Sequence, residues 1–222
     1  MRLSVERQVD LARLINIAAL FALIGVLAGS LHLQFGVGEQ PCPLCLVQRS
    51  GMIGLAVGPM MNLLWGIRAR HYALSILAAS VGAAGSVRQI FLHIADAADP
   101  GYGPDFFGLH LYTWAFVTFA VGVVGCAVLL LWEAPLTSGD QGLRGTPGLM
   151  RVAAYTAITW VILDAILIAV SVIPECGLGM CPDDPSDISG LGDTGGWVLI
   201  GLMGVLSLAI GVLLDRRRPA RA

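Results

Sequence analysis

Two pairs of cysteines carry the chemistry this sequence offers. Cys42 and Cys45 lie in Gln40-Pro41-Cys42-Pro43-Leu44-Cys45-Leu46-Val47-Gln48-Arg49, and Cys176 and Cys181 lie far down the chain, also close together. Close thiol pairs exchange disulfides, a thiolate attacking sulfur and passing through a mixed disulfide, or they bind soft metals. Pro43 suits the first position of a helix, where its missing N–H is not needed. Cys45 then falls in the first turn, where unpaired backbone N–H groups and the positive helix end favour a thiolate. Arg49 follows on the same helix face, about one turn deeper. A guanidinium inside a bilayer needs an anionic or strongly polar partner. A Cys45 thiolate is one candidate, and a reducible ligand that gains negative charge is another. The plain alternative is that Arg49 snorkels to the lipid headgroups.

The elements that must position these groups are membrane helices. The chain has 222 residues, 56% hydrophobic and 13% charged, with a mean hydropathy of +0.79. A soluble domain is about half apolar and about one quarter charged. The composition excludes a disordered chain, a nucleic-acid binder and most soluble enzymes. A helix crosses the bilayer core with about 20 apolar residues. Six stretches qualify: Leu14–Leu33, Leu44–Trp65, Tyr72–Ile94, Leu109–Trp132, Val152–Ile173 and Trp197–Leu214. The first apolar run is too long for a signal peptide, and Glu6 and Asp10 break its leader, so it reads as uncleaved. The expectation is an all-α membrane protein in a single integral membrane domain, residues 1–222. It comprises a four-helix bundle core over about 14–132, a cytoplasmic linker over about 133–151 and a C-terminal helical hairpin over about 152–214.

All thirteen basic residues are arginine, and eleven of them flank the spans on one side. The three opposite loops, roughly 34–43, 95–108 and 174–196, contain none. By the positive-inside rule both termini are cytoplasmic. Both cysteine pairs then face the extracytoplasmic, oxidising side, where disulfides persist. Two close pairs on one face suggest disulfide exchange rather than a structural staple.

Pro41-Cys42-Pro43-Leu44-Cys45 followed by Gln48-Arg49 resembles the bacterial disulfide-bond formation protein B family, and Phe107-Gly108-Leu109-His110-Leu111-Tyr112-Thr113-Trp114 resembles that family's entry to its fourth span. The likeness covers roughly residues 14–132. It implies a quinone-linked thiol oxidase of the bacterial inner membrane, which reoxidises a periplasmic thioredoxin-like dithiol oxidase and passes the electrons to ubiquinone or menaquinone. By position, Cys42 and Cys45 match the quinone-proximal disulfide, Cys45 the cysteine whose thiolate contacts the quinone, and Arg49 the arginine beside it. His93 lies near where the family often places a quinone-neighbouring histidine. The chain departs from the family in one respect. The second cysteine pair belongs between spans three and four, but Ala95–Gly108 has no cysteine, and Cys176 and Cys181 arrive after a fifth span. The resemblance assigns them no roles. The expectation is that the added hairpin supplies the partner-facing pair by another route.

Other residues have plainer readings. Cys126, mid-span, packs as a small hydrophobe. Arg88 either pairs with an acid or lines the quinone site, and Asp164, costly in mid-span, is functional or paired, with Arg88 a possible partner. His32 and His110 sit at span ends and read as interfacial. The run Asp183-Asp184-Pro185-Ser186-Asp187 lacks the spacing of a calcium loop and reads as a solvated turn. The rival classes are a cysteine-based metal-binding transporter or sensor, a vitamin K epoxide reductase-like quinone reductase, and a non-catalytic scaffold with a structural Cys176–Cys181 bridge.

Overall fold

The computed structural model describes residues 3–95, 105–146, 148–177, 179, 181 and 189–217. Most of the loop between the third and fourth spans, and the acidic run from Asp183 to Asp187, lie outside the described residues. The protein is a helical bundle with, among the described residues, six helices long and apolar enough to cross a membrane. They are α1 (Val5–His32), α2 (Pro43–Trp65), α3 (Ala69–Ala95), α4 (Leu111–Leu130), α6 (Gly148–Cys176) and α7 (Asp193–Arg216). The short α5 (Glu133–Thr137) and a 3₁₀ turn (Gly142–Arg144) lie in the linker between α4 and α6.

The first helix starts earlier than the apolar run suggests, because Ser4 caps it: its hydroxyl accepts from the Arg7 N–H. At its other end α1 widens into a π-helical turn, Leu33–Val37, closed by Gly38 at φ 97°. Before α4, a two-residue antiparallel ladder pairs β1 (Asp105–Phe106) with β2 (Leu109–His110). Its turn residues Phe107 and Gly108 have φ of 52° and 73°. Positive φ at both positions is what a tight two-residue hairpin turn demands.

α2, α3 and α4 pack closely through small residues. A Cβ on Gly82 would sit 2.3 Å from the Phe119 ring, and one on Gly58 would sit 2.2 Å from Ser75 Oγ. Pro59, inside α2, cannot donate to the Leu55 carbonyl; Ser75 of α3 donates to that carbonyl instead, at 2.7 Å, and accepts from Gly58 N at 3.2 Å. The neighbouring helix thus restores what the proline removed, as a bilayer requires.

A buried polar network locks one end of the bundle. Asn16 donates to the Tyr72 hydroxyl at 2.9 Å, Asn62 donates to Asn16 at 3.1 Å, and His71 Nδ1 lies 2.9 Å from Asn62 Oδ1. Beside it, buried Arg13 pairs with Asp10 and Asp140 and donates to the Gly145 carbonyl, which clamps the linker onto α1. α6 and α7 form the expected hairpin. Its two helices pack on each other, with Gly204 of α7 admitting the Trp160 ring of α6 and Gly211 admitting Thr156, and both touch α1.

Candidate functional site

The site is built at the end of the bundle opposite that network. α2 begins at Pro43, and Cys42 is its N-cap. Cys42 Sγ accepts from Cys45 N at 3.1 Å, and the two cysteines form a disulfide. Cys45 therefore occupies the first turn, as Pro43 predicts. Cys42 is buried, while Cys45 is partly open.

Beneath the disulfide, Gln89 of α3 turns its amide nitrogen toward both sulfurs, 3.4 Å from Cys42 Sγ and 3.8 Å from Cys45 Sγ. Gln48, one position before Arg49, donates to Gln89 Oε1 at 2.8 Å. One turn deeper, Arg49 is buried. It donates to Gln34 Oε1 and, at 3.1 Å, to the Ser30 carbonyl of α1. Arg49 is thus tied to α1 and its π-helical end across the bundle rather than extended to the headgroups.

Cys45, Gln48, Arg49 and Gln89 all line one cavity of about 660 Å³. Its floor is the face of α1 formed by Ala22, Gly25, Val26 and Gly29. A Cβ added at Gly25 or Gly29 would meet nothing within 4 Å, so the glycines leave a trough. Ala22, Gly25 and Val26 are exposed on the bundle surface, which opens the trough to the hydrocarbon. Tyr112, Trp114 and Ala115 of α4 and Trp197 of α7 complete the wall. A largely apolar cleft with a few convergent polar groups is the usual form of a small-molecule site.

The other expected residues fall as follows. His93 is not among the lining residues; it stacks on Tyr112, which is, with ring centroids 5.0 Å apart. Arg88 is exposed and does not line the cavity. Asp164 is fully buried in α6, and among the described residues its carboxylate has no hydrogen-bond partner, so Arg88 is not paired with it. Cys176, at the end of α6, forms a disulfide with Cys181. Cys126 is a buried free cysteine in α4. His32, expected at the interface, is instead buried, because Trp197 of α7 covers it.

Gln89, Gln34 and Ser30 escaped the sequence reading. A polar amide inside an apolar span was the available signal for Gln89. The Ser30 carbonyl had none, being a backbone group exposed to Arg49 only by the packing of α1 on α2.

These features define a class: a multi-pass helical membrane protein with one disulfide at the wall of a lipid-open cavity and a second on a helical hairpin. Comparison with known proteins narrows it. The family model for disulfide bond formation protein DsbB matches residues 12–100. The chain is 30% identical over 138 residues to disulfide bond formation protein B of Burkholderia ambifaria, covering 47% of this chain and 80% of that protein. It is 29% identical over 162 residues to the protein of the same name from Burkholderia thailandensis, covering 58% of this chain and 93% of that one. It is 37% identical over 93 residues to that of Verminephrobacter eiseniae, covering 40% and 51%. No solved structure matches the chain. The chain belongs to the disulfide bond formation protein B family and is an oxidoreductase of disulfide formation.

Proposed function

We propose that this protein reoxidises a periplasmic thioredoxin-like dithiol oxidase and passes the electrons to a membrane quinone, ubiquinone or menaquinone, in the bacterial inner membrane. The observation that carries this reading is the meeting of Cys45, Gln89 and Arg49 on the wall of one cavity open to the hydrocarbon. Both cysteine pairs lie at arginine-free loops, which by the positive-inside rule supports placing them outside, with both termini cytoplasmic.

The residues present fit a quinone: the glycine trough offers unfilled space, and the mostly apolar cavity wall carries a few polar groups, the Cys45 sulfur, the Gln48 and Gln89 amides and the Arg49 guanidinium, with Glu39 and His32 also on the lining. A bound quinone would accept two electrons and two protons and leave as quinol. The protein's residues do the rest. Thiolate of the reduced partner attacks the Cys176–Cys181 disulfide, and the partner's second thiol resolves the mixed disulfide, leaving the partner oxidised and Cys176 and Cys181 as thiols. That dithiol reduces Cys42–Cys45 by the same exchange. The Cys45 thiolate, at the helix N-terminus and beside the Gln89 amide, gives up the electron pair as the Cys42–Cys45 bond re-forms. Arg49, fixed by Gln34 and Ser30, would hold the quinone's oxygen side and supply a preorganised cation there.

The test mixes the purified protein anaerobically with a short-tailed quinone and a reduced thioredoxin-like dithiol protein and follows quinol formation optically. Quinol forms in step with partner disulfide, and a Cys176→Ser/Cys181→Ser variant loses partner oxidation. Absence of quinol from the wild type overturns the quinone assignment. Partner oxidation at full rate by the double variant overturns the role of the hairpin pair.

A further inference from the structure

The added hairpin reaches the cavity itself. The segment entering α7 docks on the π-helical end of α1, Leu191 N donating to the Phe35 carbonyl at 2.8 Å. Backbone meets backbone there: a Cβ on Gly196 would sit 2.7 Å from Gly36 Cα and 2.6 Å from His32 Nδ1. Only glycine admits this approach, and it places three side chains together. The His32 ring stacks on Trp197, with centroids 4.3 Å apart and planes 19° apart. Its Nε2 lies 3.0 Å from Asp193 Oδ1, in the first turn of α7. His32 and Trp197 both line the cavity that Cys45 and Arg49 line. One face of the indole is taken by His32, and the residue is still 52% exposed, because the rest of it borders open space.

We infer that α7 completes the quinone site: Trp197 is a specificity-determining wall residue that packs against the quinone head, and Asp193 is a positioning residue that acts through His32. This rests on the quinone reading above and adds a second task for the hairpin, besides carrying Cys176 and Cys181. A flat, electron-poor ring gains most from an electron-rich aromatic surface held rigid before it arrives. The His32 stack and the Asp193 contact hold the indole in that way. The half-exposed carboxylate-bearing turn of α7 leaves Asp193 at the water side, its side chain 80% exposed, so the pair is anchored at the mouth rather than in the hydrocarbon.

The rival is that Trp197 is only an interfacial anchor for α7. Steady-state kinetics with a short-tailed ubiquinone separate the two. Trp197→Ala raises the KM for quinone about fivefold with kcat changed less than twofold, Trp197→Phe recovers most of the loss, and Asp193→Asn raises KM about twofold to threefold. A second readout uses the oxidised protein, which does not turn over. Quinone titration quenches tryptophan emission, and Trp197→Phe removes part of that quench. If Trp197→Ala and Asp193→Asn leave the quinone KM and the quench unchanged while Arg49→Gln raises KM, the inference fails and the quinone site stands. If the wild type forms no quinol and shows no quench, both fail together.

Discussion

Gln48 donates to the side-chain oxygen of Gln89 at 2.8 Å, and that bond decides which end of the Gln89 amide meets the cysteines. With its oxygen occupied, Gln89 presents N–H to Cys42 Sγ and Cys45 Sγ. An N–H facing a disulfide gains little, but an N–H facing a thiolate is a charge-assisted bond and is stronger. The arrangement therefore favours the reduced, anionic state of the pair.

Replacing both glutamines, Gln48→Leu with Gln89→Leu, removes this donor without leaving a buried amide unpaired. The alkylation rate of reduced Cys45 at pH 7 should fall about fivefold, since a bond to a charged acceptor is worth about 1.5–3 kcal/mol and the substituted cavity recovers part of it. Time-resolved labelling with iodoacetamide, read by mass spectrometry, checks this. An unchanged rate would remove Gln89 from the chemistry.

Arg49 faces the cavity from one turn below Cys45, held by Gln34 and the Ser30 carbonyl. Arg49→Gln keeps a polar side chain but removes the cation that stabilises charge on the acceptor. Loss of one preorganised electrostatic contact of this kind costs about 10²-fold in turnover efficiency. The expected result is that kcat/KM for quinone drops on that scale while exchange between reduced partner and the Cys176–Cys181 pair persists. Arg49→Lys should recover only part, because a point charge does not bridge Gln34 and Ser30 at once. Unchanged quinone kinetics in Arg49→Gln would exclude the role.

Far from the site, Asp140 holds the linker. It pairs with Arg13 and accepts from the N–H groups of Ile67 and Gly142, at 3.1 Å each. Asp140→Ala leaves buried Arg13 with half-exposed Asp10 as its charged partner among the described residues. Breaking a buried pair by removing one member costs about 3–5 kcal/mol. A fall in thermal midpoint, with quinone KM unaltered at a temperature below it, is the expected outcome. A shift of less than a degree would mean that Asp10 and the Gly145 carbonyl suffice for Arg13.

The six helices were legible because each apolar run is as long as a bilayer is thick and is bounded by polar residues. The start of α2 was legible because Pro43 announces it. Cys45 and Arg49 were legible together because a helix period aligns them. What the sequence did not show depends on packing between helices distant in the chain. His32 reads as an interfacial histidine until α7 arrives and Trp197 covers it. Gln89 reads as one polar residue in a span until Gln48 orients it. Arg13 reads as one of the cytoplasmic arginines before the first span, since nothing local reveals that the linker buries it. Single-residue signals survive without tertiary structure; pairs made by different helices do not.

The trough in α1 offers the most direct test of where a ring would lie. Gly25 and Gly29 are on one face of that helix, and a Cβ at either would meet nothing within 4 Å. Gly29→Leu therefore starts from open space at its Cβ, extends toward the cavity floor and replaces glycine by a better helix former, which gains up to about 1 kcal/mol. The variant should fold with an unchanged or raised thermal midpoint. Its KM for quinone should rise tenfold or more on the order-of-magnitude scale of a lost apolar contact surface, and Gly29→Ala should lie between. Stability and catalysis thus move in opposite directions, which a merely structural role for the glycines does not produce. If Gly29→Leu turns quinone over with wild-type KM, the cavity bounded by Cys45, Arg49 and Trp197 is not where the acceptor binds.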